Sequence, residues 1–217
     1  MSTTRLETDH WIINLPEQPF GGLLLAHGAG AGKEHSFMES MATLLARLGL
    51  LIIRFDFDYR RQMAITGKRR PPDKMPVLIS RLQAEFLAAQ AAYPELSWFV
   101  GGKSMGGRVA RTAGEQLPEL VGVVCFGYPF HPPKKPENLR LEPLQQISPP
   151  TLVAQGTRDP LGDESEVNGY ALAESVELFW LADGDHDLKP RVRSGYTHEQ
   201  HLAATAERVV AFCRGLI

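Results

Sequence analysis

Apolar residues in this chain fall into two rhythms. A continuous run with no polar face appears at Gly21-Gly22-Leu23-Leu24-Leu25-Ala26, and further buried, strand-like runs at Leu50 to Phe57, at Leu120 to Phe126 and at Thr151-Leu152-Val153-Ala154. A strand without a polar side is one covered on both faces, as in a parallel sheet packed between helices. Ser97-Trp98-Phe99-Val100 and Val176 to Leu181 extend the set, and Trp11-Ile12-Ile13-Asn14-Leu15 reads as an edge strand. The second rhythm is helical. Phe37, Met41, Leu44, Leu45 and Leu48 follow the capping pattern Ser36-x-x-Glu39 and stop at Gly49, while Leu78, Leu82, Phe86 and Ala89 share one face of 77–92. A helix-like run from Met105 to Leu117 ends before Pro118, and Thr197-x-x-Gln200 opens a last helix through Leu202, Ala206, Val209 and Cys213, closed by Gly215.

Strand, helix and strand in alternation predict an α/β fold: one domain over residues 1–217, a mostly parallel sheet of about seven strands, right-handed crossovers and helices on both faces. Between the strand ending at Phe126 and the one starting at Thr151 there is room for one helical turn near Leu144 but not for a large cap domain. Tyr59 to Lys74 is polar and basic, with Arg60, Arg61, Lys68, Arg69, Arg70 and Lys74, and is expected to be a solvated loop. Its alternative reading is a rim at a strand's carboxyl end that draws in an acidic substrate or partner.

Composition narrows the function classes. A net charge of −2 over 217 residues opposes general nucleic-acid binding, which needs clustered positive charge. No apolar run is long enough to span a bilayer, and Met1 to Asp9 lacks the apolar core of a secretory signal, so the expected compartment is the cytoplasm. Cys125 in an apolar strand and Cys213 on a helix are expected to be buried free thiols.

The chemistry centres on Gly102-Lys103-Ser104-Met105-Gly106, a G-x-S-x-G pattern placed after a strand and before a helix. Such a turn holds a serine hydroxyl above the sheet edge, with the next backbone N–H, that of Met105, facing the same space. The glycine-rich stretch His27-Gly28-Ala29-Gly30-Ala31-Gly32-Lys33 follows the buried Gly21 to Ala26 strand. Small residues there let backbone approach a ligand, so Gly28 and Gly30 are candidate binding positions and the N–H of Ala29 the candidate second oxyanion donor, with Gly30 the near alternative. Asp159, after the Thr151 to Ala154 strand, and His186, after the last strand, stand at the same sheet edge as Ser104. The roles expected are Ser104 as nucleophile, His186 as base and Asp159 as the acid that orients it.

Other residues compete for these roles. Asp163, Asp183, Asp185 and Asp187 are alternative acids, and His27, His35, His131, His198 and His201 alternative bases. His198-x-x-His201 lacks the glutamate of H-E-x-x-H and any evident third ligand, so no metal and no organic cofactor is expected. Tyr128, Phe130 and His131, in the loop after Phe126, are expected to line a shallow substrate site, with packing against the sheet end as their bland alternative. A phosphate-binding loop fails on spacing, since a Walker pattern ending at Gly32-Lys33 would need glycine at His27 and serine or threonine at Glu34.

With these motifs in order, the sequence resembles the small α/β-hydrolase-like proteins related to testis-expressed proteins and an NSL chromatin-complex subunit, within a wider set similar to dienelactone-hydrolase-like enzymes. The resemblance implies a lidless α/β-hydrolase fold carrying Ser104, Asp159 and His186 in the family's chain order. The activity expected from the three side chains themselves is hydrolysis of a carboxylic ester or thioester through an acyl-Ser104 intermediate, with an anionic substrate suggested by the basic segment. A binding or scaffold protein on the same fold, and a lactone or C–C bond hydrolase, are the alternatives left open. A small-molecule substrate is the expected partner, with room for a protein partner and no expectation of nucleic acid or membrane.

Overall fold

A computed structural model describes residues 2–217 of the chain. Eight strands form one sheet: β1 (Thr3–Glu7), β2 (Trp11–Pro16), β3 (Gly21–Ala26), β4 (Leu50–Phe55), β5 (Trp98–Lys103), β6 (Leu120–Phe126), β7 (Thr151–Gly156) and β8 (Val176–Leu181). Their spatial order is β1-β2-β4-β3-β5-β6-β7-β8. The hairpin β1-β2 lies antiparallel on the flank of β4, and every pairing from β4 to β8 is parallel. The carboxyl ends of β3 to β8 therefore open on one edge, where side chains from successive loops can meet.

The helices are α1 (Ser36–Arg47), α2 (Asp58–Thr66), α3 (Met75–Ala92), α4 (Met105–Ala113), the single turn α5 (Glu164–Val167) and α6 (His198–Arg214). Side-chain alternation divides the core between the two faces of the sheet. Leu23 and Leu25 of β3 pack with Leu50 and Ile52 under Phe37, Met41 and Leu45 of α1 and Ala206 and Val209 of α6. Leu24, Leu51, Ile53 and Phe55 face the other way, toward Leu82 and Phe86 of α3 and Val109 and Ala110 of α4. Each fully buried leucine or phenylalanine contributes roughly 1.5–3 kcal/mol, so both layers are fixed by apolar burial before any polar contact is counted.

Three expectations are corrected. The sheet has an eighth strand, β1, which takes the edge position that the Trp11 segment was expected to fill. Its sequence Thr-Thr-Arg-Leu-Glu is almost wholly exposed and carries no hydrophobic signature, because an outermost strand needs only backbone pairing. The first half of the expected basic loop lies in α2, which spans Asp58–Thr66. Only Tyr59 is buried there, and the charged majority masks the period. The helix after Ser104 ends at Ala113 and passes into a 3-10 turn, Gly114–Gln116, instead of running to Leu117.

Cys125 and Cys213 are free and buried, and burial pushes both thiols up to about 12. No helix among the described residues is long and apolar enough to cross a membrane.

Phe86 is fully buried and meets Trp98 edge-on, with ring centroids 6.4 Å apart. Replacing it with alanine leaves a cavity between α3 and β5 and is expected to cost about 3–5 kcal/mol. Urea unfolding measures this, and a loss below about 1 kcal/mol would show that α3 is not anchored through this ring.

Candidate active site

One residue, Ser104, separates the last residue of β5 from the first of α4. Its backbone lies at φ 53° and ψ −116°, outside the regions a serine ordinarily occupies. Holding a non-glycine residue there costs about 1–3 kcal/mol, which the surroundings must offset. Its N–H donates to the Phe126 carbonyl at 2.9 Å and its carbonyl accepts the Arg108 N–H at 3.1 Å. The glycines two positions either side are required by space. A β-carbon on Gly102 would sit 2.4 Å from the Gly106 carbonyl carbon, and one on Gly106 would sit 2.3 Å from the Ala26 carbonyl oxygen. Strand, turn and helix thus approach closely enough to fix the serine only because both side chains are missing.

The Ser104 hydroxyl lies 2.8 Å from His186 Nε2, and His186 Nδ1 lies 2.8 Å from Asp159 Oδ2. A ring nitrogen facing a carboxylate is the one carrying hydrogen, so Nδ1–H donates to Asp159 and the Nε2 lone pair accepts from Ser104. Asp159 is fully buried. Its Oδ1 accepts the Leu161 N–H at 2.8 Å and its Oδ2 accepts from Gln155 Nε2 at 2.9 Å. Solvent reaches the histidine, whose side chain is 26% exposed.

The competing residues have other partners. Asp163 caps α5 by accepting the Glu166 N–H and the Ser165 hydroxyl, contacts that hold it below the usual carboxylate range. Asp183 accepts from Arg191 and pairs with Arg158, Asp185 accepts the N–H groups of Asp187 and Lys189, and Asp187 meets Lys103. Among the histidines, His35 caps α1 and His131 Nε2 stands 3.2 Å from Glu166. His198 Nε2 and His201 Nδ1 bond the carbonyls of Asp187 and Leu188, at 2.9 and 2.8 Å. The H-x-x-H pair at the start of α6 therefore holds the backbone of the His186 loop.

His27 is buried beneath the glycine-rich loop. Its Nε2 accepts the Phe57 N–H at 3.1 Å, which leaves Nδ1 as the donor to the Gly28 carbonyl at 2.8 Å. The Tyr59 hydroxyl, also buried, reaches the Gly28 and Ala29 carbonyls at 3.3 and 3.0 Å. A trans peptide points its N–H opposite its carbonyl, so these inward carbonyls turn the N–H groups of Ala29 and Gly30 to the open side of the loop. The loop lies against the serine turn, since a β-carbon on Gly28 would be 3.6 Å from Ser104 Cβ. Met105 N–H, at the first position of α4, has no partner within the helix.

Tyr128, Phe130 and His131 do not form the exposed lining expected of them. All three are buried. The Tyr128 hydroxyl donates to the Arg140 carbonyl, and its ring meets Phe130 edge-on at 5.0 Å. Phe130 also packs beside Gly162, and His131 is taken up by Glu166 and the Pro132 carbonyl. These residues build the wall behind Asp159 because apolar rings at the sheet end gain more from the core than from solvent. Gln155 ties the wall to the acid, accepting the Tyr128 N–H at 2.7 Å and donating to the Gly162 carbonyl and Asp159.

Sequence reasoning passed over Gln155 and the supporting part of Tyr59. The available signals were one amide in the otherwise apolar β7 and one aromatic just past β4. Of the basic residues, Arg60 lies beside Gly32 in the glycine loop, Arg61 donates to His10 at 2.8 Å, and Arg70 pairs with Asp73 at 3.1 Å. A groove of about 480 Å³ between Trp11, Arg61, Arg81 and Ala88 is lined by none of Ser104, Asp159 and His186.

Residues 21–214 match a family model described as an alpha/beta hydrolase domain. Among solved structures, a dienelactone hydrolase from Anabaena variabilis superposes with a TM-score of 0.73 at 19% identity, covering 100% of this chain and 97% of its own. An α/β serine hydrolase without a lid from Xanthomonas campestris gives 0.66 at 18% identity, with 96% of this chain and 94% of that one covered. A Pyrococcus furiosus esterase gives 0.69 at 17% identity, with 99% and 91% covered. At these identities the likeness is one of fold.

Burial lowers the pKa of His27 from 6.5, opposed by the Gly28 carbonyl and Asp56. Between 6.5 and the lower folded value the unfolded chain binds a proton that the native protein does not, so stability falls as pH drops through that window. The expected slope is at most about 1.4 kcal/mol per pH unit for this one group. Unfolding midpoints from pH 7 to pH 5 should fall less steeply in His27→Gln than in the wild type. Parallel slopes would remove His27 as the source.

Proposed function

The chain belongs to the alpha/beta hydrolase family, and from that premise we propose that it is a serine hydrolase acting on a carboxylic ester or thioester. The observation that carries the reading is the unbroken run of hydrogen bonds from Ser104 through His186 to a buried Asp159, each 2.8 Å long, with the serine in a strained backbone conformation. Fold alone would not support it, since one fold serves many functions.

In this reading Ser104 Oγ attacks the acyl carbon as its proton passes to His186 Nε2. Asp159 holds the ring by Nδ1–H and offsets the positive charge the ring acquires. The carbonyl oxygen, now an oxyanion, is met by the N–H groups of Met105 and Ala29, the first aided by the positive end of α4. Collapse of the tetrahedral intermediate breaks the bond to the alcohol or thiol, which leaves with the proton from His186. Water then attacks the acyl-serine, giving its proton to the same nitrogen, and the acid is released as Ser104 recovers its hydrogen. None of these steps calls on a metal or an organic cofactor.

The neighbours' names, dienelactone hydrolase and esterase among them, fit this class, and a lactone is opened by the same steps because it is a cyclic ester. The resemblance to testis-expressed and NSL-subunit proteins carries a second reading, a binding protein on this fold. The retained hydrogen-bonded serine favours the enzyme.

Labelling with a fluorophosphonate tests the reading. The wild type is expected to label, Ser104→Ala and His186→Ala to lose labelling, and Asp159→Asn to reduce ester turnover by about 10⁴-fold, the loss typical of a mis-set histidine tautomer. A folded wild type that does not label would favour the binding protein.

Arg60, beside the glycine loop, supports a substrate that bears an anionic group. Arg60→Gln is expected to raise KM several-fold for an anionic aryl ester and to leave a neutral ester of the same size nearly unchanged. Equal effects on the two esters would remove the charge preference.

A further inference from the structure

Lys103 has no part in the steps above, yet it stands immediately before the serine and is only 7% exposed. An ammonium so placed needs a reason, because burying one without partners is costly. It leaves the end of β5 toward the α1 side of the sheet, its Nζ 5.5 Å from the centre of the Phe37 ring, and meets Asp187 Oδ1 at 3.2 Å. Asp187 is the residue after His186. Both the ammonium and the imidazole crowd Gly127, where a β-carbon would lie 3.2 Å from Lys103 Nζ and 3.3 Å from His186 Nδ1. Gly127 itself has φ 61°.

Resting on the serine-hydrolase reading, we propose that Lys103 is a positioning residue for His186: with Asp187 it clips the histidine loop to the end of β5 and sets a buried positive charge beside the imidazole. The clip joins two chain segments that otherwise meet through the Ser104 hydrogen bond and the close packing over Gly127. The charge stands against those of Asp187 and Asp159 beside the ring.

Among the described residues, the groups facing this cluster come from three elements. Asp159 approaches from the β7 loop, Asp185 and Asp187 from the histidine loop, and His35 from the start of α1. His198 of α6 bonds the Asp187 carbonyl and fixes the loop from outside. Burial draws Lys103 below the ordinary lysine value, opposed by Asp187, Asp159 and Asp185. Burial pushes Asp187 the other way, but the charge of Lys103, helped by His186 and His35, brings it below its ordinary value. The two therefore form an ion pair near neutral pH. Without Lys103 the negative charges of Asp159 and Asp187 stand beside the imidazole with no buried cation against them. Without the Asp187 charge the lysine acts on the ring unopposed by its own partner.

The two substitutions thus predict displacements of opposite sign, which loss of a structural clip alone would not produce. Second-order fluorophosphonate labelling rates are measured from pH 5 to pH 9 for the wild type, Lys103→Met, Lys103→Arg and Asp187→Asn. The acid limb is expected to move up by about one pH unit in Lys103→Met, to stay in place in Lys103→Arg and to move down in Asp187→Asn. At a pH on the limb the methionine variant should label about ten times more slowly than the wild type. An unmoved limb in both charge-removing variants, or movement in the same direction, overturns the proposal. If Lys103→Met does not fold, the downward shift in Asp187→Asn, a substitution at an exposed side chain, decides by itself. The ring resonances of His186 followed across pH report the same displacement without turnover. A wild type that fails to label would therefore count against the hydrolase reading, and the resonances would still decide the proposal.

Discussion

A serine held at positive φ between a strand and a helix is the constraint on which the rest of this structure depends. The conformation is unfavourable for any residue with a β-carbon, so it persists only where close packing leaves no alternative. Ala26 at the end of β3, Gly106 at the start of α4 and Gly102 within β5 supply that packing, with gaps too small for even one more carbon. The strain is offset by the apolar layers on both faces of the sheet, which bury most of the hydrophobic residues and fix β5 between β3 and β6. Stability of the core and exposure of the hydroxyl are two results of one arrangement.

Around this point each reactive group is oriented by groups that do not react. Gln155 and the Leu161 N–H leave Asp159 one free direction, toward His186. His198 and His201 hold the carbonyls on the far side of the histidine loop, and Lys103 ties the same loop inward through Asp187. His27 and Tyr59 turn the Gly28 and Ala29 carbonyls down so that their peptides' N–H groups face out. Buried polar atoms must find partners, and here the pairing that satisfies them also fixes geometry at a site where small displacements matter.

The positions after the strands were legible in the sequence because β-strand ends and glycine turns are local patterns, and Ser104, Asp159 and His186 each follow one. The hairpin strand β1 was not legible, since an exposed edge strand has no apolar pattern to show. Nor was α2, where one buried tyrosine among charged neighbours leaves no clear period. Tyr128 and Phe130 illustrate a different limit. Aromatic residues at a sheet end can face a ligand or the core, and the choice rests on the volume behind them, which here Leu144, Val167 and Tyr170 complete.

By itself the sequence determined the alternation of strands and helices, the burial of the central strands on both faces and the turn that carries the serine. These follow from spacing along the chain, which backbone geometry converts directly into local structure. Tertiary structure alone decided the distances and partners that join Ser104 to His186 and His186 to Asp159, what occupies the other aspartates and histidines, and what Lys103, Gln155 and Tyr59 touch. Ser104 and His186 are 82 positions apart in the chain yet share a hydrogen bond. A bond of a few ångströms between distant segments depends on the path of every element between them, and no local pattern encodes that path.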